Sequence, residues 1–367
     1  MQPGDSTSSA PAVAPAIDRY LTRVATSRGS DLHFVAGEPP RMRLYGDLKP
    51  FEQEVITQAR ASESLLQIMS AAARADFEKR DSTDFAHTVP GVARFRVNIF
   101  RHLGGMGGIF RVIPSQAESL KDLNLPAVLT TLAKQPQGLI LATGKTGSGK
   151  STTLAAIIDE INTREAGHII TIEDPIEFVH QRKKCLISQR EVGRHTPSFA
   201  AALTSALRED PDVILVGEMR DLETISIAVT AAEMGVLVMG TLHTNGAAQT
   251  VDRIVNSFPT DKQSHVRTML STSLRGVISQ QLVPRKGEPG LVAALEIMVN
   301  TPAIANLVRQ GKLDQLESAI QSGRQSGMKA MDSSLRELYD KGVISGRAAY
   351  ECALEKKKFE DVKEELG

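Results

Sequence analysis

The sequence predicts an α/β protein in two parts: a small α+β domain over residues 16–114, then a larger parallel-sheet domain over 115–367 that turns helical from about residue 300. Three observations carry this. Arg94-Phe-Arg-Val-Asn-Ile99 alternates polar and apolar residues, the period of a strand with one buried face. From Leu139 onward, short apolar runs alternate with helical stretches, as in a parallel sheet. Beyond residue 300, capping residues and glycines mark off short helices.

Taken in order, residues 1–15 are small, polar and proline-containing, and are expected to be disordered because they offer little apolar surface against ordering entropy. A short helix is expected from Ile17 to Ala25, strands at 31–35 and 41–45, and a helix from Ala61 to Phe77. In the alternating stretch, Phe95, Val97 and Ile99 face the core while Arg94, Arg96 and Asn98 face away. A glycine turn at Gly104–Gly108 then leads to an antiparallel partner that carries Arg111. The arginines are either a solvated strand face or a comb offered to an anionic ligand on a neighbouring subunit. Pro114 to Leu125 reads as the linker.

Four runs then read as central strands: Leu139–Thr143, His168–Ile172, Val213–Val216 and Val236–Leu242. A helix is expected over Ser264–Leu282, stopped by Pro284, then a strand at Leu291–Val299. Thr301-Pro302 opens the next helix and Gly311 closes it.

Bulk properties narrow the function. Basic and acidic residues balance at 43 each, which argues against a nucleic-acid partner. No apolar run approaches the ~20 residues needed to cross a bilayer, and two cysteines far apart cannot build a metal site. A cytoplasmic protein without membrane insertion is expected.

The most specific stretch is Gly144-Lys-Thr-Gly-Ser-Gly-Lys-Ser151, which fits the phosphate-loop pattern G-x-x-x-x-G-K-[ST] at every fixed position. An apolar run precedes it. Leu154, Ile157, Ile158 and Ile161 follow at helical spacing. Glycines let backbone N–H groups curl around phosphates, and the helix start adds about half a positive charge. ATP is the expected ligand, cradled by Gly144, Thr146, Gly147, Ser148, Gly149, Lys150, Ser151 and Thr152. Lys150 is assigned to the β- and γ-phosphates and the Ser151 hydroxyl to Mg²⁺.

The other three strands also end in polar residues, at Glu173 to Glu177, at Gly217-Glu218 and at His243. Ligands of such sheets bind beyond the carboxyl ends of the strands. Glu218 is assigned to magnesium, through water. Glu177 is favoured over Glu173 as the water-activating acid, with Glu173 holding the loop, and His243 completes the catalytic group.

Together with the phosphate loop, Thr171-Ile-Glu-Asp-Pro-Ile-Glu177, Val216-Gly-Glu-Met-Arg-Asp221 and Gly240-Thr-Leu-His-Thr244 resemble the Walker A, Asp box, Walker B and His box of the type II/IV secretion ATPases. Within that superfamily the chain is most similar to the PilT family of type IV pilus retraction ATPases, from about residue 17 to the C-terminus. The resemblance implies a PAS-like N-terminal domain and a RecA-like P-loop NTPase domain with a helical C-terminal extension. It implies a homohexamer in which Arg96, Arg101 and Arg111 approach the ATP of the next subunit. The implied motor sits peripherally at the inner face of the inner membrane, at the pilus base. There it turns an inner-membrane platform protein to withdraw pilin, with a paralogous retraction ATPase as a further partner. Val236 stands where the family has a second histidine, and Ala305 and Gln310 where it has Arg and Glu. The runner-up readings are an accessory retraction paralogue and a pilus-assembly or type II secretion ATPase. From another class comes a nucleotide-gated structural ring with little turnover.

Overall fold

The computed structural model describes residues 14–27, 29–44, 47–113 and 117–363. Most of the stretch expected to be disordered, and the first residues of the expected linker, therefore lie outside the described residues. The chain divides into two compact units, Met1–Ser115 and Gln116–Gly367.

In the first unit a six-stranded antiparallel sheet is built from Asp31–Val35 (β1), Arg41–Leu44 (β2), Asp47–Pro50 (β3), Ser82–Val89 (β4), Ala93–His102 (β5) and Gly105–Ile113 (β6). Its order is β3-β2-β1-β6-β5-β4. Helices Asp18–Thr26 (α1), Gln58–Ile68 (α2) and Ala71–Arg80 (α3) contribute Leu21, Leu65 and Phe77 to the core. Alternation along the strands sends Phe34, Phe95, Phe110, Val97 and Ile99 into that core, where all five are fully buried. Each such side chain contributes about 1.5–3 kcal/mol. The opposite face keeps Arg94, Arg96 and Arg111.

The expected helix Ala61–Phe77 is two helices. Met69 turns extended, and Ser70 begins α3 by accepting from the Ala73 N–H at 3.2 Å. The turn expected over Gly104–Gly108 is only Leu103-Gly104, because Gly105 to Gly108 pair as strand with β5. Strand β4 was not expected.

In the second unit a seven-stranded sheet is formed by Gly138–Thr143 (β7), His168–Glu173 (β8), Leu186–Glu191 (β9), Val213–Val216 (β10), Leu237–Leu242 (β11), Leu274–Pro284 (β12) and Leu291–Val299 (β13). Its order is β13-β12-β7-β11-β10-β8-β9, parallel except for β13. Leu139, Leu141, Ile170, Ile172, Ile214 and Val216 pack on one face against Phe199–Ala206 (α6), Leu222–Glu233 (α7), Ala247–Asn256 (α8) and Thr260–Ser273 (α9). Ile140, Ala142, Ile169 and Val213 pack on the other against Val128–Ala133 (α4) and Lys150–Arg164 (α5). Burial on both faces is why these strands read as unbroken apolar runs.

The expected helix Ser264–Leu282 is in fact the end of one helix and most of a strand. Helix α9 ends at Ser273, and Leu274–Pro284 is a strand paired with β7 on one side and β13 on the other. Val277 and Ile278 point to opposite faces of the sheet and both are fully buried, which suits β-branched residues in an interior strand. Gly276 packs closely there: an added Cβ would stand 2.9 Å from the Leu132 side chain and 3.1 Å from the Met298 carbonyl oxygen. Strand β9 was also not expected.

Beyond the sheet lie helices Pro302–Gln310 (α10), Leu316–Ser322 (α11), Met331–Asp340 (α12) and Gly346–Cys352 (α13). As expected, the Thr301 hydroxyl accepts from the Ile304 N–H, and Gly311 closes α10 with φ 70°.

Candidate active site

Parallel pairing levels the carboxyl ends of four adjacent strands. Thr143 of β7 stands opposite Leu242 of β11, Gly240 opposite Val216 of β10, and Val216 opposite Ile172 of β8. The phosphate loop, His243, Glu218 and Glu173 therefore emerge side by side at one edge of the sheet.

The loop itself is shaped by three glycines at positive φ: Gly144 at 139°, Gly147 at 76° and Gly149 at 85°. Gly147 has open space around it, so its need is conformational alone. Gly144 and Gly149 are also hemmed in by β12. Added Cβ atoms would stand 2.3 Å from the Gln280 carbonyl oxygen and 2.6 Å from its side-chain amide. Gln280 is buried and accepts from the Thr153 hydroxyl at 2.7 Å, which locks the first turn of α5 to the sheet. Helix α5 has no side-chain cap, so the first N–H groups at Lys150, Ser151 and Thr152 have no intrahelical acceptor.

Lys150 is buried and folds back over the loop, donating to the Gly144 and Lys145 carbonyls at 2.9 Å each. Burial lowers its pKa, and Glu218 and Glu177 act in the opposite direction. Both carboxylates therefore lie within electrostatic reach of Lys150. The Ser148 hydroxyl is buried without a partner among the described residues. Glycines at positive φ, uncapped N–H groups, a buried cation and an orphaned hydroxyl fit a polyphosphate chain. Thr146 is exposed at the loop's tip.

Glu218 is held on two sides. The Arg220 guanidinium reaches both its oxygens, at 2.5 and 2.6 Å, and His243 Nε2 lies 2.9 Å away. Burial raises the Glu218 pKa, but Arg220 and His243 outweigh it and hold the carboxyl below its ordinary value. It is anionic at neutral pH and suited to a hard cation. Ser151 lines a cavity of about 20 Å³ together with Glu173, Gly217 and Thr241, which brings the start of α5 next to the end of β8 and to the residue before Glu218.

Glu173 and Glu177 differ sharply. Glu173 is 7% exposed; it accepts from the Thr171 hydroxyl at 2.6 Å, the Gln189 amide at 3.3 Å and the Glu177 backbone N–H at 3.1 Å. Burial drives its pKa up against those donors. Glu177 is exposed, with its carboxylate available.

In the first unit, Arg96 and Arg111 stand directly opposite each other on β5 and β6. Arg111 is compensated by Asp31 at 2.9 Å, whereas Arg96 is exposed and forms no ion pair among the described residues. Like charges directly opposite repel, and an incoming anion would offset this. Arg101 is not part of that group. It shares the parity of Phe95, Val97 and Ile99, so it lies toward the other face, paired with Asp81 at 2.8 Å and stacked over Phe77.

Arg220, Gln189, Thr171 and Gln280 were not singled out from sequence. Two of them left a signal, since Arg220 lies two residues after Glu218 and Thr171 two residues before Glu173, each within a quoted motif.

A sequence profile described as "Type II/IV secretion system protein" matches residues 6–343. The chain belongs to the type II/IV secretion system protein family. Among its relatives, the Pseudomonas aeruginosa "Type IV pilus retractation ATPase PilT" is 52% identical over 337 residues, covering 92% of this chain and 98% of that one. "Type IV pilus ATPase PilU" of the same organism is 40% identical, covering 92% and 87%. A crystal structure of the pilus retraction motor PilT with bound ADP superposes with a TM-score of 0.87 at 43% identity, covering 94% of this chain and 99% of the other. The chain is an ATPase of this family, with the family's N-terminal domain and RecA-like domain.

Proposed function

We propose that the chain is the ATP-hydrolysing motor of type IV pilus retraction, working as a homohexamer with Mg²⁺. One observation carries the chemistry: a phosphate cradle, the start of the loop that bears Glu177 and an anionic Glu218 paired to His243 emerge level at one sheet edge. Lys150 and the α5 N-terminus bind and orient the triphosphate. Glu177 takes the proton from the attacking water, and Glu173 holds the backbone at Glu177 in place. The Ser151 hydroxyl and Glu218, the latter through water, would hold the magnesium ion, which neutralises phosphate charge when bound. His243 keeps the Glu218 carboxylate directed at the site.

Arg96 reaches the phosphates of a neighbouring subunit, with Arg111 beside it. An arginine supplied in this way stabilises transition-state charge. Closure around ATP and opening after hydrolysis then turn a platform protein at the inner membrane, which puts the ring at the cytoplasmic face of the pilus base. The greater identity to PilT than to PilU supports the main motor over an accessory paralogue. Twitching motility tests this. A deletion strain carrying this gene should regain motility and a Lys150→Ala copy should not. Failure of the intact gene in a strain whose own retraction gene does complement would contradict the proposal.

A further inference from the structure

Glu177 sits on a segment, residues 174–185, that is neither helix nor strand. Backbone polar groups in such a segment must find partners elsewhere, and here they find buried or half-buried side chains of flanking elements. The Ile176 N–H donates to Glu191 at 3.3 Å and the Glu177 N–H to Glu173 at 3.1 Å. Asn162 of α5 binds the Gln181 carbonyl at 2.7 Å and the N–H groups of Lys183 and Cys185 at 3.2 Å.

Gln189, on β9, is the hub nearest the site. Its Nε2 donates to the Phe178 carbonyl at 2.8 Å and to the Glu173 carboxylate at 3.3 Å, while its Oε1 accepts from the His180 N–H at 2.9 Å. One amide thus grips the chain just after Glu177, and also the carboxylate that grips Glu177 itself. No other side chain type of this length offers two donors and an acceptor in one plane without charge.

We propose that Gln189 is a positioning residue for hydrolysis: by tying Glu173, Phe178 and His180 together it fixes where the Glu177 carboxylate stands at the phosphate loop. The inference rests on the assignment of Glu177 as the water-activating acid. Small displacements of a reacting group cost up to ~10²-fold in rate, so loss of this clamp should act on turnover rather than on ATP binding.

A double-mutant cycle on the full-length protein tests it, reading single-turnover hydrolysis and ATP affinity for wild type, Gln189→Met, Glu177→Gln and the double variant. Gln189→Met should slow hydrolysis by about tenfold or more with ATP affinity within about twofold. The double variant should be no slower than Glu177→Gln, because a misplaced acid and a missing acid are the same loss. Wild-type turnover in Gln189→Met, or losses that multiply in the double variant, would overturn the proposal. Wild-type turnover in Glu177→Gln would instead overturn the assignment of Glu177 itself, and this role for Gln189 with it.

If Gln189→Met fails to bind ATP, the near-isosteric Gln189→Glu decides. Its carboxylate beside Glu173 cannot donate. Protonation returns one donor, so its deficit relative to wild type should shrink as pH falls. A deficit of the same size at every pH would contradict the clamp.

Discussion

Replacing Lys150 with alanine is expected to abolish ATP turnover, lowering the rate by about 10²–10³-fold or more. The lysine is buried at the start of α5 with Gly144 and Lys145 carbonyls as its only hydrogen-bond partners among the described residues. Those bonds hold its ammonium over the loop where the β- and γ-phosphates would lie. No other cation emerges from the phosphate loop in a buried position, since Lys145 is exposed. The substitution also removes a cation whose burial is unfavourable, so the fold should survive and the loss should be chemical. Phosphate release and a thermal melt on the same sample separate the two. Turnover near wild type would contradict the assignment of the loop.

Replacing Arg96 with alanine should reduce kcat by about 10³-fold while nucleotide affinity changes little, as for an arginine supplied in trans. Arg96 is exposed and has no ion pair to lose among the described residues, so its removal should leave stability within about 0.5 kcal/mol. Mixing tests the trans arrangement. Rings built only of Lys150→Ala subunits or only of Arg96→Ala subunits should each be inactive, but a mixed ring would contain interfaces with an intact lysine on one side and an intact arginine on the other. Activity should reappear on mixing. Absence of rescue at every ratio would count against catalysis between subunits, and parallel losses of binding and turnover in Arg96→Ala would mark a folding defect instead.

The parts that were legible in the sequence share a physical reason. The phosphate loop is contiguous, and each of its glycines answers a backbone demand that only glycine meets without strain. Strands β7, β8, β10 and β11 are buried on both faces, so each reads as an apolar run with a polar residue where it leaves the core. Strand β12 was not legible. Its residues Leu274, Val277, Ile278 and Leu282 continue the helical spacing of α9, and only pairing with β7 and β13 decides for strand. That miss hid Gln280, whose backbone and side chain shape the loop at Gly144 and Gly149.

Arg220 and Gln189 were hidden for a different reason. A buried or half-buried carboxylate needs a partner, but sequence does not say which one the fold delivers. The face of Arg101 could have been read: counting by twos from Phe95 places it with the core residues, away from Arg96. The double helix α2 and α3 turned on Ser70, a capping residue inside what otherwise reads as one helical stretch.

The central claim is that loops from four neighbouring strands gather around a triphosphate while an adjacent subunit supplies an arginine. A crystal structure of the full-length protein with a non-hydrolysable ATP analogue and magnesium tests it most directly. The account predicts Lys150 on the β- and γ-phosphates, Ser151 and Glu218 about the metal, Glu177 facing the water in line with the γ-phosphate, and Arg96 of the next subunit against that phosphate. Glu177, Glu218 and His243 lying well away from the bound phosphates, with no arginine crossing from a neighbour, would contradict it.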